Sequence, residues 1–334
     1  SEPPHAAAIN PTTNATAVVR RHEVCAIASS SSFPPEGRAP SVPSRLPQAA
    51  AAQRSCFALR ADGCVYPDRM NSASNTPPTF IESVSNPLVK ELRELRTPKG
   101  RKEQRRFLAE GERTLAEAAR AGWHASILLV GPGGEGTKLS ADRVVNVSRD
   151  VLSKVTGREN PQPHLGVFAE PAAETQGLQQ IDPSAATRWL MLEGPRDPGN
   201  LGSCIRSADA VAAGGVILVG DTCDPYSVEC VRATMGSIFS VPIFRLSDAE
   251  ARDLLARWPG ESVATAGDAP SDYAAIEYRA PAMVVVGTEA DGLSPALRAA
   301  CGVAVSIPML GRAESLNLGV AAAITLYAAE RAQR

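Results

Sequence analysis

The run Trp189-Leu190-Met191-Leu192-Glu193-Gly194-Pro195-Arg196-Asp197-Pro198-Gly199-Asn200-Leu201-Gly202 decides the fold class. Its first four residues are continuously apolar, the mark of a strand buried on both faces, because a strand with one wet face alternates. The polar turn that follows leads into a helical pattern near 200–212, with Asn200 as a candidate cap. Strand, polar turn and helix make one βα unit. Further apolar runs lie at Val216 to Val219, Val241 to Phe244, Val263 to Ala266, Met283 to Val286 and Val303 to Ile307. Helical patterns near 200–212, 227–235, 247–257, 294–300 and 315–332 separate them. This alternation predicts an α/β domain over 188–334 with a parallel sheet covered on both faces, and ligand sites beyond the carboxyl ends of its strands.

Upstream, order is expected to begin near Thr79. Asn86-Pro87 reads as a helix start, with Leu88, Leu92 and Leu95 at helical spacing until Thr97-Pro98 ends the element. A second helix over 109–121 stops at Gly122, and Ser126 to Val130, Val144 to Val147 and Leu165 to Ala169 read as strands. That is a small α/β domain over 79–172, joined by a Pro- and Gln-rich linker over 173–187. Residues 1–78, rich in Ala, Ser and Pro and holding Arg but no Lys, read as a disordered tail. Arg and Ser enrichment with few acids resembles an organellar transit peptide, chloroplast before mitochondrion. Should the tail be a plain extension instead, the protein is cytoplasmic.

Charge divides along the same borders. The net charge of −2 over 334 residues hides 15 basic against 12 acidic residues in 79–172, and 12 against 19 in 173–334. Lys90 to Arg106 holds eight basic residues, among them Lys90, Arg93, Lys99, Arg101, Lys102, Arg105 and Arg106, against Glu91, Glu94 and Glu103. A stretch of this kind suits phosphates; the alternative is a solvated helix laced by i,i+3 and i,i+4 pairs. Seven Cys without a C-x-x-C pair and four His argue against a zinc site, a Ser/His/Asp hydrolase and a disulfide framework. The longest apolar runs are far shorter than the roughly twenty residues of a membrane helix. No metal and no membrane is expected.

Three strand ends in 188–334 carry unusual polar turns. The first leads through Asn200 to Arg206; the second is Gly287-Thr288-Glu289-Ala290-Asp291-Gly292-Leu293; the third is Ile307 to Leu318, opening the last helix. Each alone is compatible with an ordinary turn. Together, D-P-x-N-x-G-x-x-x-R (Asp197 to Arg206), G-x-E-x-x-G-L (Gly287 to Leu293) and I-P-M-x-G-x-x-E-S-L-N (Ile307 to Asn317) resemble the three signature motifs of the SpoU-type RNA ribose methyltransferases of the SPOUT superfamily. Ser85 to Lys90, Lys99-Gly100-Arg101 and Phe107 to Glu112 look like that family's small substrate-binding domain, itself similar to an RNA-binding ribosomal protein.

The resemblance implies a C-terminal trefoil knot, a homodimer packed through it, and S-adenosylmethionine as cofactor. It implies cofactor contacts at Thr265, Gly287, Ile307, Met309 and Leu316, and catalytic roles for Arg206, Asn200, Glu289, Ser315 and Asn317, on ribosomal RNA before transfer RNA. Competing readings stand beside these roles. Arg206 has Asp209 as a candidate surface partner, Asn200 can be a simple cap, Glu289 a loop anchor, Ile307 and Leu316 core residues. An inactive RNA-binding or ribosome-assembly factor on the same scaffold is the rival function. A dehydrogenase is the other rival, disfavoured because no G-x-G-x-x-G turn follows any strand.

Overall fold

Asn86 starts the first helix, α1 (Pro87–Glu94), by accepting the Leu88 N–H at 2.9 Å. The computed structural model describes residues 80–134, 136, 139–288 and 291–334. The tail at 1–78 with its transit-peptide reading, and Glu289, lie outside the described residues. Thr97 and Pro98 do not end an element. They open a second helix, α2 (Pro98–Gln104), in which Thr97 Oγ1 accepts the Gly100 N–H at 3.0 Å. Leu95, between the two helices, is fully buried, so the helical spacing of Leu88, Leu92 and Leu95 is a packing signal that outlasts the first helix.

The strands β1 (Phe80–Ile81), β2 (Arg106–Glu110), β3 (Ala125–Val130), β4 (Ala141–Val147) and β5 (His164–Ala169) form one sheet in the order β1-β4-β3-β5-β2, with β5 antiparallel to both neighbours. The helix expected over 109–121 is shorter, α3 (Glu112–Arg120). Phe107, Leu108 and Ala109 belong to a strand buried on both faces, and Gly111 at φ 100° turns the chain into the helix. A helix not foreseen, α4 (Arg149–Thr156), starts on a Ser148 cap and ends at Gly157 in the left-handed region.

The second sheet has seven strands, every pair parallel: β6 (Arg188–Glu193), β7 (Val216–Val219), β8 (Ile243–Leu246), β9 (Ser262–Thr265), β10 (Ser271–Asp272), β11 (Ala282–Val286) and β12 (Val303–Ser306). Its helices are α5 (Pro198–Ala210), α6 (Val228–Ala233), α7 (Asp248–Ala256), α8 (Pro295–Ala300) and α9 (Leu318–Ala332). The order β10-β12-β9-β11-β6-β7-β8 explains the apolar runs. Leu190, Leu192, Val284 and Val286 pack with Leu201, Ile205 and Leu326 on one face; Trp189, Met191, Met283 and Val285 pack with Leu254, Leu255 and Leu297 on the other. Each such side chain contributes about 1.5–3 kcal/mol on leaving water.

The two sheets share a core. Phe107 and Phe168 lie 5.0 Å and 4.8 Å, ring centre to ring centre, from Tyr226 and Phe239 respectively, and the Trp123 indole donates to the Phe239 carbonyl at 2.9 Å. The connection at 173–187 is held as well. The Gln176 carbonyl accepts the Arg245 N–H at 2.8 Å, and its buried amide donates to the Tyr226 hydroxyl at 3.1 Å. Among the described residues no helix is long and apolar enough to cross a membrane.

Candidate active site

One rung of the large sheet organises the site. Val305, Thr265, Val286 and Leu192 are in register across β12, β9, β11 and β6. Beyond that rung the three polar turns leave from the same edge. The chain runs outward through β6, β7 and β8, then returns on the other side, so this edge is the point where the winding reverses. Crevices of parallel sheets open there, because adjacent connections leave on opposite faces.

The first turn is fixed at its base. Gly194 (φ 59°) donates its N–H to the Val219 carbonyl at 3.0 Å, and a Cβ on it would lie 3.3 Å from Thr288 Cγ2. Asp197 caps α5 by accepting the Asn200 N–H at 2.7 Å. The second turn closes on itself: Thr288 and Gly292 exchange backbone hydrogen bonds of 3.1 Å and 3.0 Å. Gly287 has no alternative residue, since a Cβ there would sit 2.1 Å from the Gly292 carbonyl. Ser294 then donates its N–H to Glu193 Oε2 at 2.7 Å, binding the end of the second turn to the start of the first. Both partners lie just outside the motif strings and the sequence reading passed over them.

The third turn meets the first directly. Asn317 Oδ1 accepts the Gly319 N–H at 2.9 Å and caps α9, while its amide nitrogen donates to Asn200 Oδ1 at 2.8 Å. Two side chains 117 residues apart in sequence are thus joined. Gly319 permits it, because a Cβ there would press on Ser203 Cβ at 3.1 Å. Leu310, on the loop between β12 and α9, is 99% exposed. Backbone N–H groups of an exposed loop can donate to a ligand and its carbonyls can accept from one. Ile307, Met309 and Leu316 lie on that loop half-buried, and Ser315 is exposed. Thr265 offers backbone only, since its hydroxyl donates to the Val285 carbonyl at 3.1 Å.

Arg206 stands exposed on α5 and is not the partner of Asp209, whose carboxylate instead accepts the Ser237 hydroxyl at 2.6 Å. Cys204, beside it, is fully buried. Burial first, then the Asp197 and Asp224 charges, push the nearby Cys223 thiol up to about 11, so it is no nucleophile at neutral pH. Among the described residues no group of three His, Cys, Asp or Glu is placed to hold a metal ion.

The basic stretch divides. Lys90, Lys99, Lys102, Arg93 and Arg105 are exposed on α1, α2 and the turn after it. Arg93 pairs with Glu94 at 3.5 Å, Lys99 with Glu103 at 3.8 Å, and Arg106 with Glu91. Arg101 is a correction to the RNA-surface reading. It is 2% exposed, with Nε donating to Asp224 Oδ2 at 2.7 Å and Nη1 to the Leu95 carbonyl at 2.9 Å. A buried guanidinium must be paired, and its pair lies on the other sheet's side of the molecule.

A parallel α/β sheet with three polar turns leaving one edge at its switch point defines an α/β protein with a ligand site at that edge. Its likeness to known proteins makes it an S-adenosylmethionine-dependent methyltransferase. The chain belongs to the SpoU rRNA methylase family, which it matches over 188–327, and residues 86–166 match the MRM3-like substrate binding domain. It is 31% identical to the 23S rRNA (guanosine(2553)-2′-O)-methyltransferase RlmP of Bacillus subtilis, over 74% of this chain and 97% of that protein. It is 32% identical to the 23S rRNA (uridine(2479)-2′-O)-methyltransferase of Streptomyces viridochromogenes, over 67% of this chain and 82% of that one. Among solved structures, an AdoMet-bound rRNA methyltransferase from Sinorhizobium meliloti is 37% identical with a TM-score of 0.69, covering 76% of this chain and 97% of that one.

Proposed function

We propose that this chain methylates the 2′-hydroxyl of a ribose in ribosomal RNA, as a homodimer whose C-terminal turns are knotted. The hydrogen bond from Asn317 to Asn200 carries the reading, because it brings the first and third motifs to one point. Thr265, Gly287, Ile307, Met309 and Leu316 would hold S-adenosylmethionine through the backbone, and once bound it supplies an electrophilic sulfonium methyl. Arg206 supplies a guanidinium, which as a chemical group is a poor base and a good clamp on a developing alkoxide and its phosphate. Asn200, Asn317, Ser315 and Glu289 orient the ribose, and the proton leaves to phosphate or water.

The dimer reading rests on α9. Leu318, Ala322 and Leu326 face the core, while Val320 (45% exposed) and Tyr327 (50%) recur seven residues apart on the opposite side. The RNA grip rests on Lys90, Arg93, Lys99, Lys102 and Arg105, with Arg106 partly covered, because the catalytic half is acidic. An organellar address, chloroplast first, rests on the composition of residues 1–78. The test is transfer of label from S-adenosylmethionine to protein-free large-subunit rRNA, with nuclease digestion to locate a 2′-O-methylated nucleotide. Cofactor binding by calorimetry without transfer to any ribosomal or transfer RNA would favour the inactive assembly factor.

A further inference from the structure

Arg101 reaches the active-site edge through three consecutive contacts. Its guanidinium belongs to α2 and is anchored there by the Leu95 carbonyl. Across the shared core it bonds Asp224, whose Oδ1 also accepts the Tyr226 N–H at 2.9 Å and lies 3.7 Å from Arg245 Nη2. The residue before Asp224, Cys223, donates its N–H to the Pro195 carbonyl at 2.7 Å. Pro195 is buried and stands two residues before Asp197, the cap that sets the first turn of α5 and with it Asn200. A displacement of α2 therefore has a path to the first motif through three hydrogen bonds, Arg101 to Asp224, Cys223 to Pro195 and Asn200 to Asp197, joined by the short chain segments 223–224 and 195–197.

We propose that Arg101 and Asp224 are a positioning pair: they fix the first motif's turn relative to the basic surface of α1 and α2, and so decide which nucleotide of a bound RNA meets Arg206. This rests on the RNA methyltransferase reading above. Arg101 is buried while the Asp224 side chain is 29% exposed. Desolvation of the guanidinium offsets much of the attraction, so the pair is a weak source of net stability yet demanding in geometry. Lys at 101 would not serve, because one ammonium cannot span the Leu95 carbonyl and the Asp224 carboxylate in the fork geometry of Arg. The same pair explains why a residue inside the most basic stretch of the chain is withheld from solvent.

The test uses the full chain with Arg101→Met and Asp224→Asn together, which removes both charges while keeping an acceptor for the Tyr226 N–H. Cofactor affinity by calorimetry and the rRNA KM should stay within about twofold, whereas kcat should fall by about tenfold or more, because small misplacements of reacting groups are costly. Mapping of the product should show methyl groups on neighbouring nucleotides as well as on the wild-type site. A variant with unchanged kcat and a single unshifted product overturns the proposal. Should the double variant be unfolded by circular dichroism, Arg101→Lys preserves the charge and must show the same spread of products; a single product overturns the proposal there too. Amide exchange decides independently of the RNA: the Cys223 N–H must exchange about tenfold faster in the variant, and equal protection overturns the pair's role. A wild-type chain that methylates no RNA would sink the enzymatic reading and leave the exchange result standing.

Discussion

Arg206 is the side chain on which turnover should depend most. It is exposed on α5 and makes no ion pair with Asp209, so removing it leaves no buried charge behind. Arg206→Ala is expected to keep the melting temperature and the S-adenosylmethionine affinity while kcat falls by about 10²–10³, the usual cost of one preorganised electrostatic contact. An active variant would return Arg206 to the surface. Asn317 is different, because it carries two duties at once. Asn317→Ala removes both the cap of α9 and the bond to Asn200. The expected loss is about 0.5–2 kcal/mol of stability from the cap, read by chemical denaturation, together with a fall in turnover.

Elements meet here at distances that only glycine allows. A Cβ on Gly202 would stand 2.4 Å from Ala233 Cβ and 2.7 Å from the Cys230 carbonyl, so α5 and α6 touch backbone to backbone. Gly202→Ala would help an isolated helix, yet here it should destabilise the protein by about 1–3 kcal/mol through overpacking. Where β5 ends, Glu170 has its carboxyl raised above the usual range, first by burial and then by the Asp224 charge, against the lowering pull of Arg105 and Arg101. Its ionised form is thus disfavoured in the folded state: stability is fullest below the unfolded value of 4.5 and declines as pH rises through the raised one. Glu170→Gln should accordingly raise the melting temperature at pH 7, with the gain vanishing as pH falls towards 4.

At the scale of the whole molecule, five aromatic rings, Phe107, Trp123, Phe168, Tyr226 and Phe239, pack between the two sheets and join their cores. The free apolar face is elsewhere, on α9. Tyr327→Glu places a charge on the exposed side of that helix without touching Leu318, Ala322 or Leu326. On the proposed homodimer, this substitution should shift sedimentation from dimer to monomer, and methyl transfer should be lost with it. A monomeric wild-type chain with full activity would refute the dimer.

By itself the sequence determined the parallel sheet, the cap at Asn86 and the three turns, because burial on both faces and helix capping are local properties that leave local patterns, whereas the caps at Asp197 and Asn317 came from the structure. β1 and β10 escaped because two residues show no period, and α4 escaped although Val151, Leu152 and Val155 stand at helical spacing behind a Ser148 cap. The last two residues of β2 were counted with the helix after Gly111 because the two segments adjoin there. Only the tertiary structure decided that Arg101 is an internal group. Charge density along the chain counts Arg101 with its neighbours, whereas its burial depends on Asp224, 123 residues away, arriving on the far side of a shared aromatic core. The meeting of Asn200 with Asn317 is of the same kind, for strand order and register across the sheet, which no single segment encodes, bring their loops to one edge.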